Sequence, residues 1–151
     1  MIVRAGGLDH PATAALLTAH LADMQASSPP GSVYALDLRG LATPDIAFFT
    51  AWDGEALLGC GALRTLGDRD GEVKSMRTDR DARGRGVAQA ILDRIVAEAR
   101  AAGLTRLLLE TGTGAMFDAA HRLYARNGFV PCAAFGDYVA TDFNRFLCRL
   151  L

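Results

Sequence analysis

The chain has 151 residues, half of them apolar, and its 16 basic side chains nearly balance 17 acidic ones for a net charge of −1. That length and apolar fraction fit one domain over 1–151 with a core able to fold unaided. The near-neutral balance argues against a nucleic-acid surface, and no apolar run approaches the roughly 18 residues of a membrane span. Cys60, Cys132 and Cys148 are odd in number and share no metal-ligand spacing, so free thiols in a reducing cytoplasm are expected, with no metal.

In chain order, Ile2–Arg4 reads as a short strand, and His10–Met24 as a helix with Leu16, Leu17, Leu21 and Met24 at helical spacing. Asp9 is the expected cap and Pro11 falls in the first turn. Ser27-Ser28-Pro29-Pro30-Gly31 must be loop, and Val33–Leu41 fits either a short helix or a lid-like strand. From Asp45 the pattern turns to β: Ile46–Trp52, an Asp53-Gly54 turn, and a return arm over Ala56–Leu66. Glu72–Thr78 is an alternating strand predicted to put Glu72, Lys74 and Met76 on one face.

Next comes Arg83-Gly84-Arg85-Gly86-Val87-Ala88, a glycine turn between that strand and a helix running to about Ala102. The helix buries Val87, Ile91, Ile95 and Ala99, and Gly103 ends it. A helix start exposes unpaired N–H groups and a positive dipole end, and glycines let an anion approach without a Cβ in the way. Arg77, Arg80, Arg83 and Arg85 outnumber Asp79 and Asp81 within nine residues, so the expected ligand is a polyphosphate. A dinucleotide fold has some support, since Glu110 falls near the place of a ribose-binding acid, but Gln89 occupies its third glycine position. A P-loop fails, because the only lysine is Lys74.

Leu104–Thr111 reads as a buried strand, Met116–Asn127 as a helix closed by Gly128, and the tail as β at Phe129–Cys132 and Arg145–Leu150. This order, an antiparallel meander joined to one βαβ crossover, gives a mixed α/β sheet with helices on its faces.

The order and two motifs resemble the GNAT superfamily of acetyl-CoA-dependent N-acetyltransferases. Arg83-x-x-Gly86-x-Ala88 matches its pyrophosphate motif, and Leu123-Tyr124-Ala125-Arg126-Asn127-Gly128-Phe129 is similar to its Leu-Tyr-x-x-x-Gly-Phe segment. The resemblance covers about residues 45 to 131. It implies a mostly antiparallel sheet with helices on both faces and a splayed central strand pair.

The resemblance further implies acetyl-CoA as co-substrate. The amides of Gly84, Arg85, Gly86, Val87 and Ala88 would hold its pyrophosphate, with charge from Arg83 and Arg85. Strands parting around Met76, Arg77 and Thr78 and around Leu109–Thr111 would admit the pantetheine arm. Tyr124 matches the tyrosine that protonates the departing thiolate, and Phe117 stands at a coenzyme-contact position where relatives carry asparagine.

An alkylammonium acceptor must lose a proton before it attacks, given an ordinary pKa of about 10. Glu72 is the candidate base and Glu110 the reserve; Tyr34, Lys74, Glu110 and Tyr138 are the expected substrate contacts. Lysine beside acids suits a small amphoteric amine, such as an amino acid. Ser28-Pro29-Pro30 with Ala35-Leu36-Asp37, and Phe135-Gly136-Asp137-Tyr138, resemble a small bacterial subgroup labelled indole-acetate acetyltransferase-like. A non-catalytic acyl-CoA sensor and a protein acetyltransferase are the alternatives. The apolar ending fits either a homodimer seam or an edge strand buried in its own fold.

Overall fold

The computed structural model describes residues 1–32 and 37–151. Its strands are β1 (Ile2–Ala5), β2 (Ile46–Asp53), β3 (Ala56–Thr65), β4 (Asp70–Thr78), β5 (Arg106–Gly112), β6 (Val130–Pro131) and β7 (Asn144–Leu150). The helices are α1 (Pro11–Ser27), α2 (Leu38–Leu41), α3 (Val87–Ala101) and α4 (Asp118–Arg126), with single 3-10 turns at Arg80–Ala82 and Ala115–Phe117. The strands form one sheet in the order β1-β2-β3-β4-β5-β7-β6. Every neighbouring pair is antiparallel except β4 and β5, which the α3 crossover joins in parallel.

Each face of the sheet carries its own core. On one, α3 lays Ile91, Ile95 and Ala99, and α4 lays Leu123 and Tyr124, against Phe49, Leu63, Leu107 and Leu109. On the other, Leu16 and Leu17 of α1 and Leu41 of α2 cover Phe48, Cys60 and Ala62. Phe48 and Phe49 point to opposite cores because side chains alternate along a strand. Burial of these side chains away from water is the main force holding helices to sheet.

The expected element order holds, with local corrections. His10, not Asp9, caps α1: its Nδ1 accepts from the Ala12 N–H at 3.1 Å. Pro11 opens the helix as expected. Leu38–Leu41 is one helical turn capped by Asp37 Oδ1, which accepts from the Gly40 N–H at 3.0 Å. β5 begins at Arg106 because the Leu104 N–H is taken by the Ala99 carbonyl, closing α3. The last helix opens with a 3-10 turn, so α4 proper starts at Asp118.

The largest correction lies in β4. Lys74 pairs with Ala62 and Arg77 with Cys60, so two residues of β4 face one of β3. This is a β-bulge, and Ser75 adopts φ 54° within it. Alternation therefore slips by one residue. Glu72, Lys74 and Arg77 share the α1 face, whereas Met76 turns to the α3 face, where its Sδ would lie 2.6 Å from a Cβ placed on Gly61.

Candidate active site

β4 and β5 pair only from Asp70↔Arg106 to Glu72↔Leu108 and then diverge, although β4 runs on to Thr78 and β5 to Gly112. A cleft of about 760 Å³ opens along the fork. All the expected site residues line it except Arg85, whose side chain is elsewhere, and Tyr34, which lies outside the described residues.

The outer end of the cleft is the glycine turn. Asp79 caps the preceding 3-10 turn by accepting from the Asp81 N–H at 2.9 Å. Gly84 and Gly86 then take φ 75° and 79°, left-handed values that L side chains rarely adopt, and no atom lies within 4 Å of a Cβ built on either. Gly86 caps α3 with no side chain, so the first N–H groups of the helix face the opening without a capping oxygen. Buried Val87 anchors the turn to the core. Arg83 lines the opening, but the Arg85 guanidinium pairs with Asp53 at 3.1 Å in an exposed ion pair.

Sequence reasoning missed two cations here. Arg122 and Arg126, one turn apart on α4, also line the cleft. Gln89 and Asn127 exchange amide hydrogen bonds of 2.8 and 2.9 Å, fixing the start of α3 to the end of α4. The signal was available in the i, i+4 spacing of the two arginines, one just before the second motif and one inside it.

At the base of the fork, Glu72 is buried with only 3% of its side chain exposed, and Lys74 with 8%. Lys74 Nζ donates to Glu72 Oε2 at 3.3 Å and to the Tyr138 hydroxyl at 2.6 Å, and the Tyr138 hydroxyl donates to the same Glu72 oxygen. Three expected residues thus form one network. Burial, followed by the Glu72 hydrogen bond and charge, pushes the Tyr138 phenol well above its ordinary value. Glu110 stands on the neighbouring strand and, among the described residues, accepts a long bond of 3.4 Å from Asn144 Nδ2. Burial raises its pKa; Asn144 and Lys74 pull the other way, and Glu72 adds to the rise.

Tyr124 projects from α4 into the α3-side core, its ring edge-on to Phe129 at 5.4 Å. Full burial raises its phenol pKa, so it keeps its proton through the physiological range. Phe117 stacks edge-on with Phe143 at 5.7 Å. Both rings fill the space above Gly112, where a Cβ would meet Phe117 at 2.6 Å and Phe143 at 2.7 Å.

The wall under α1 also holds residues that the sequence reading did not assign. Arg77 Nη2 donates to Asp23 Oδ2, and His20, one turn earlier on α1, is buried beside the guanidinium. Burial and the Arg77 charge lower the His20 pKa to about 4, with Asp23 opposing, so the imidazole is neutral at physiological pH. Its position four residues after Leu16 places it on the inward face of α1, a cue the apolar spacing already contained.

The model of the acetyltransferase (GNAT) family matches residues 13–129. An N-acetyltransferase of Escherichia coli, YedL, is 46% identical over 99% of this chain and 94% of its own. The IAA acetyltransferase of Azospirillum brasilense is 42% identical over 79% of this chain and 77% of its own. Among solved structures, an acyl-CoA N-acyltransferase fold from Klebsiella pneumoniae superposes with a TM-score of 0.79 at 24% identity, covering 99% of this chain and 97% of that one. A Mycobacterium tuberculosis protein solved in complex with CoA gives 0.68 at 20% identity, covering 100% and 99%. Fork, glycine turn and family match agree: the chain belongs to the GNAT family and is an acyltransferase.

Proposed function

We propose that this protein transfers the acetyl group of acetyl-CoA to the primary amine of a small cytoplasmic molecule, an amino acid or a related amine. The observation that carries the reading is the fork: a cleft with an anion-accepting helix start at one end and two carboxylates at the other. Acetyl-CoA supplies an activated acyl carbon as a thioester. The residues present fit it. The Gly84–Ala88 turn offers N–H groups and open space to a pyrophosphate, Arg83, Arg122 and Arg126 add charge, and the free edge of β4 at Met76–Thr78 offers main-chain partners to an extended amide arm. Arg77 and Thr78 contribute there through their backbone.

The remaining chemistry falls to side chains. The acceptor arrives as an ammonium, which Glu72 and Glu110 attract, and one of them takes its proton directly or through water. Glu72 is held by Lys74 and Tyr138, which fix its orientation. Tyr124, still protonated, supplies the proton that the leaving sulfur needs. Direct attack in a ternary complex requires no covalent enzyme intermediate.

The first test is a thermal shift with acetyl-CoA against NAD as control. Ligand at 100 times its dissociation constant adds roughly 2.7 kcal/mol of stability. A rise with acetyl-CoA alone, followed by thiol release with a panel of amines, supports the reading; a rise with NAD instead overturns it.

A further inference from the structure

Lysine beside acids suggested that Lys74 would meet the acidic end of an amphoteric acceptor. It is already engaged: Nζ is shared between Glu72 and Tyr138, and its side chain is 8% exposed. The cation left on that face of β4 is Arg77. The bulge at Ser75 turns its side chain toward α1, away from the α3 face where Met76 packs. Its charge therefore points to the opposite side of the strand from the helix that begins at the glycine turn.

The hydrogen bonding of this wall is incomplete. Arg77 Nε, His20 Nδ1 and Ser75 Oγ are all buried without a hydrogen-bond partner among the described residues, and all three residues line the cleft. Of the guanidinium nitrogens of Arg77, only Nη2 has a hydrogen-bond partner among the described residues, and that partner, Asp23, is itself 42% exposed. Buried polar groups are rarely left unpaired, and a guanidinium, a neutral imidazole and a hydroxyl together offer several donors. A carboxylate is the guest that such a set accepts best, since it only accepts hydrogen bonds and an arginine fork matches its two oxygens.

We propose that Arg77, with His20 and Ser75 beside it, forms the subsite that holds a carboxylate of the acceptor, so that the enzyme acts on amino acids in preference to simple amines. This rests on reading the cleft as an N-acetyltransferase site. The acceptor then spans the bulge, ammonium toward Glu72 and Glu110 and carboxylate toward α1.

The test compares amino acids with their carboxamides and with the corresponding decarboxylated amines, read by thiol release. Wild type should favour the acids by roughly 10- to 100-fold in kcat/KM, the worth of a hydrogen bond to a charged group. Arg77→Met should abolish that preference while leaving acetyl-CoA affinity unchanged. Asp23→Asn, which frees the guanidinium, should raise kcat/KM for the acids, an outcome that a purely structural ion pair does not give. Amides as good as acids, or a preference that survives Arg77→Met, overturn the subsite. If no amine is acetylated although acetyl-CoA binds, the amine-acceptor reading fails, and the subsite is judged by NMR with N-acetylglycine as probe. Shifts of the Arg77 side-chain N–H and the His20 ring with N-acetylglycine, but not with its amide, support it; absence of shifts sinks it.

Discussion

Lys74 Nζ donates to the Tyr138 hydroxyl at 2.6 Å, joining the middle of β4 to the loop between β6 and β7. Because Tyr138 also donates to Glu72, one phenol orients Glu72 and Lys74 together. Tyr138→Phe keeps the ring, which stacks on Phe135 and Phe146, and removes only the hydroxyl. The variant should lose about 1 kcal/mol of stability in urea unfolding. Its kcat/KM for the acceptor should fall, with the dissociation constant for acetyl-CoA unmoved. A weakened coenzyme affinity would show that the loop serves the other substrate.

Tyr124→Phe should lower kcat by roughly 10²-fold, the lower range for loss of a general acid, without weakening acetyl-CoA binding. The phenol sits in the core with its proton held by burial, so the substitution keeps the packing against Phe129. Stopped-flow binding beside steady-state turnover separates the two effects; an unchanged kcat removes Tyr124 from the chemistry.

The parts of this site that were legible in the sequence are those encoded locally. The apolar spacing of α3, the glycines on either side of Arg85 and the alternation of β2 and β3 each need only a few neighbours. The slip in β4 could not be read that way. Ser75 carries no turn signature, and its left-handed backbone is set by pairing with β3, so a strict alternation placed Met76 on the wrong face. The Arg85 ion pair was hidden for a similar reason: Asp53, its partner at 3.1 Å, lies at the far end of a hairpin. The charge of Arg77 was counted with the phosphate cluster and its backbone with the pantetheine arm, because nothing near it in sequence reveals that α1 crosses beside it.

Glu110→Gln gives a pH-dependent result with a defined sign. Burial raises the Glu110 pKa, so the folded protein binds this proton more readily than the unfolded chain. Stability from the group is complete below the ordinary carboxylate range and is lost as pH rises through the raised value. Relative to wild type, the variant should therefore gain stability as pH rises from the ordinary carboxylate range through the raised value, and keep that gain above it. If Glu110 is the base, the acid limb of the kcat/KM profile should also disappear; a limb that persists assigns proton removal to Glu72.

His20 has the opposite dependence. Its pKa falls from 6.5 to about 4, so between those values the unfolded chain is protonated and the folded protein is not. Stability is full above 6.5 and declines as pH drops toward 4, by up to about 3 kcal/mol. His20→Gln should flatten this part of the urea-midpoint profile, whatever its effect at neutral pH. An unchanged slope would place the loss on other groups.

Gly86→Ala should cost about 1 kcal/mol from the left-handed backbone alone, since the added methyl meets no protein atom. Acetyl-CoA affinity should fall by more than that strain accounts for, because the methyl projects into the opening that the pyrophosphate would use. Calorimetric binding beside thermal unfolding distinguishes the two costs.

The bulge at Ser75 has a consequence for how such an enzyme diversifies. Upstream of it, and again at Arg77, β4 offers side chains to the α1 face; between them Met76 packs into the opposite core, and the strand's free edge is main chain. On the function proposed above, a side chain such as that at 77 can therefore change to suit a new acceptor while the peptide groups that would meet the acyl donor stay the same. One strand divides its work between side chains and main chain, and a single extra residue marks the boundary.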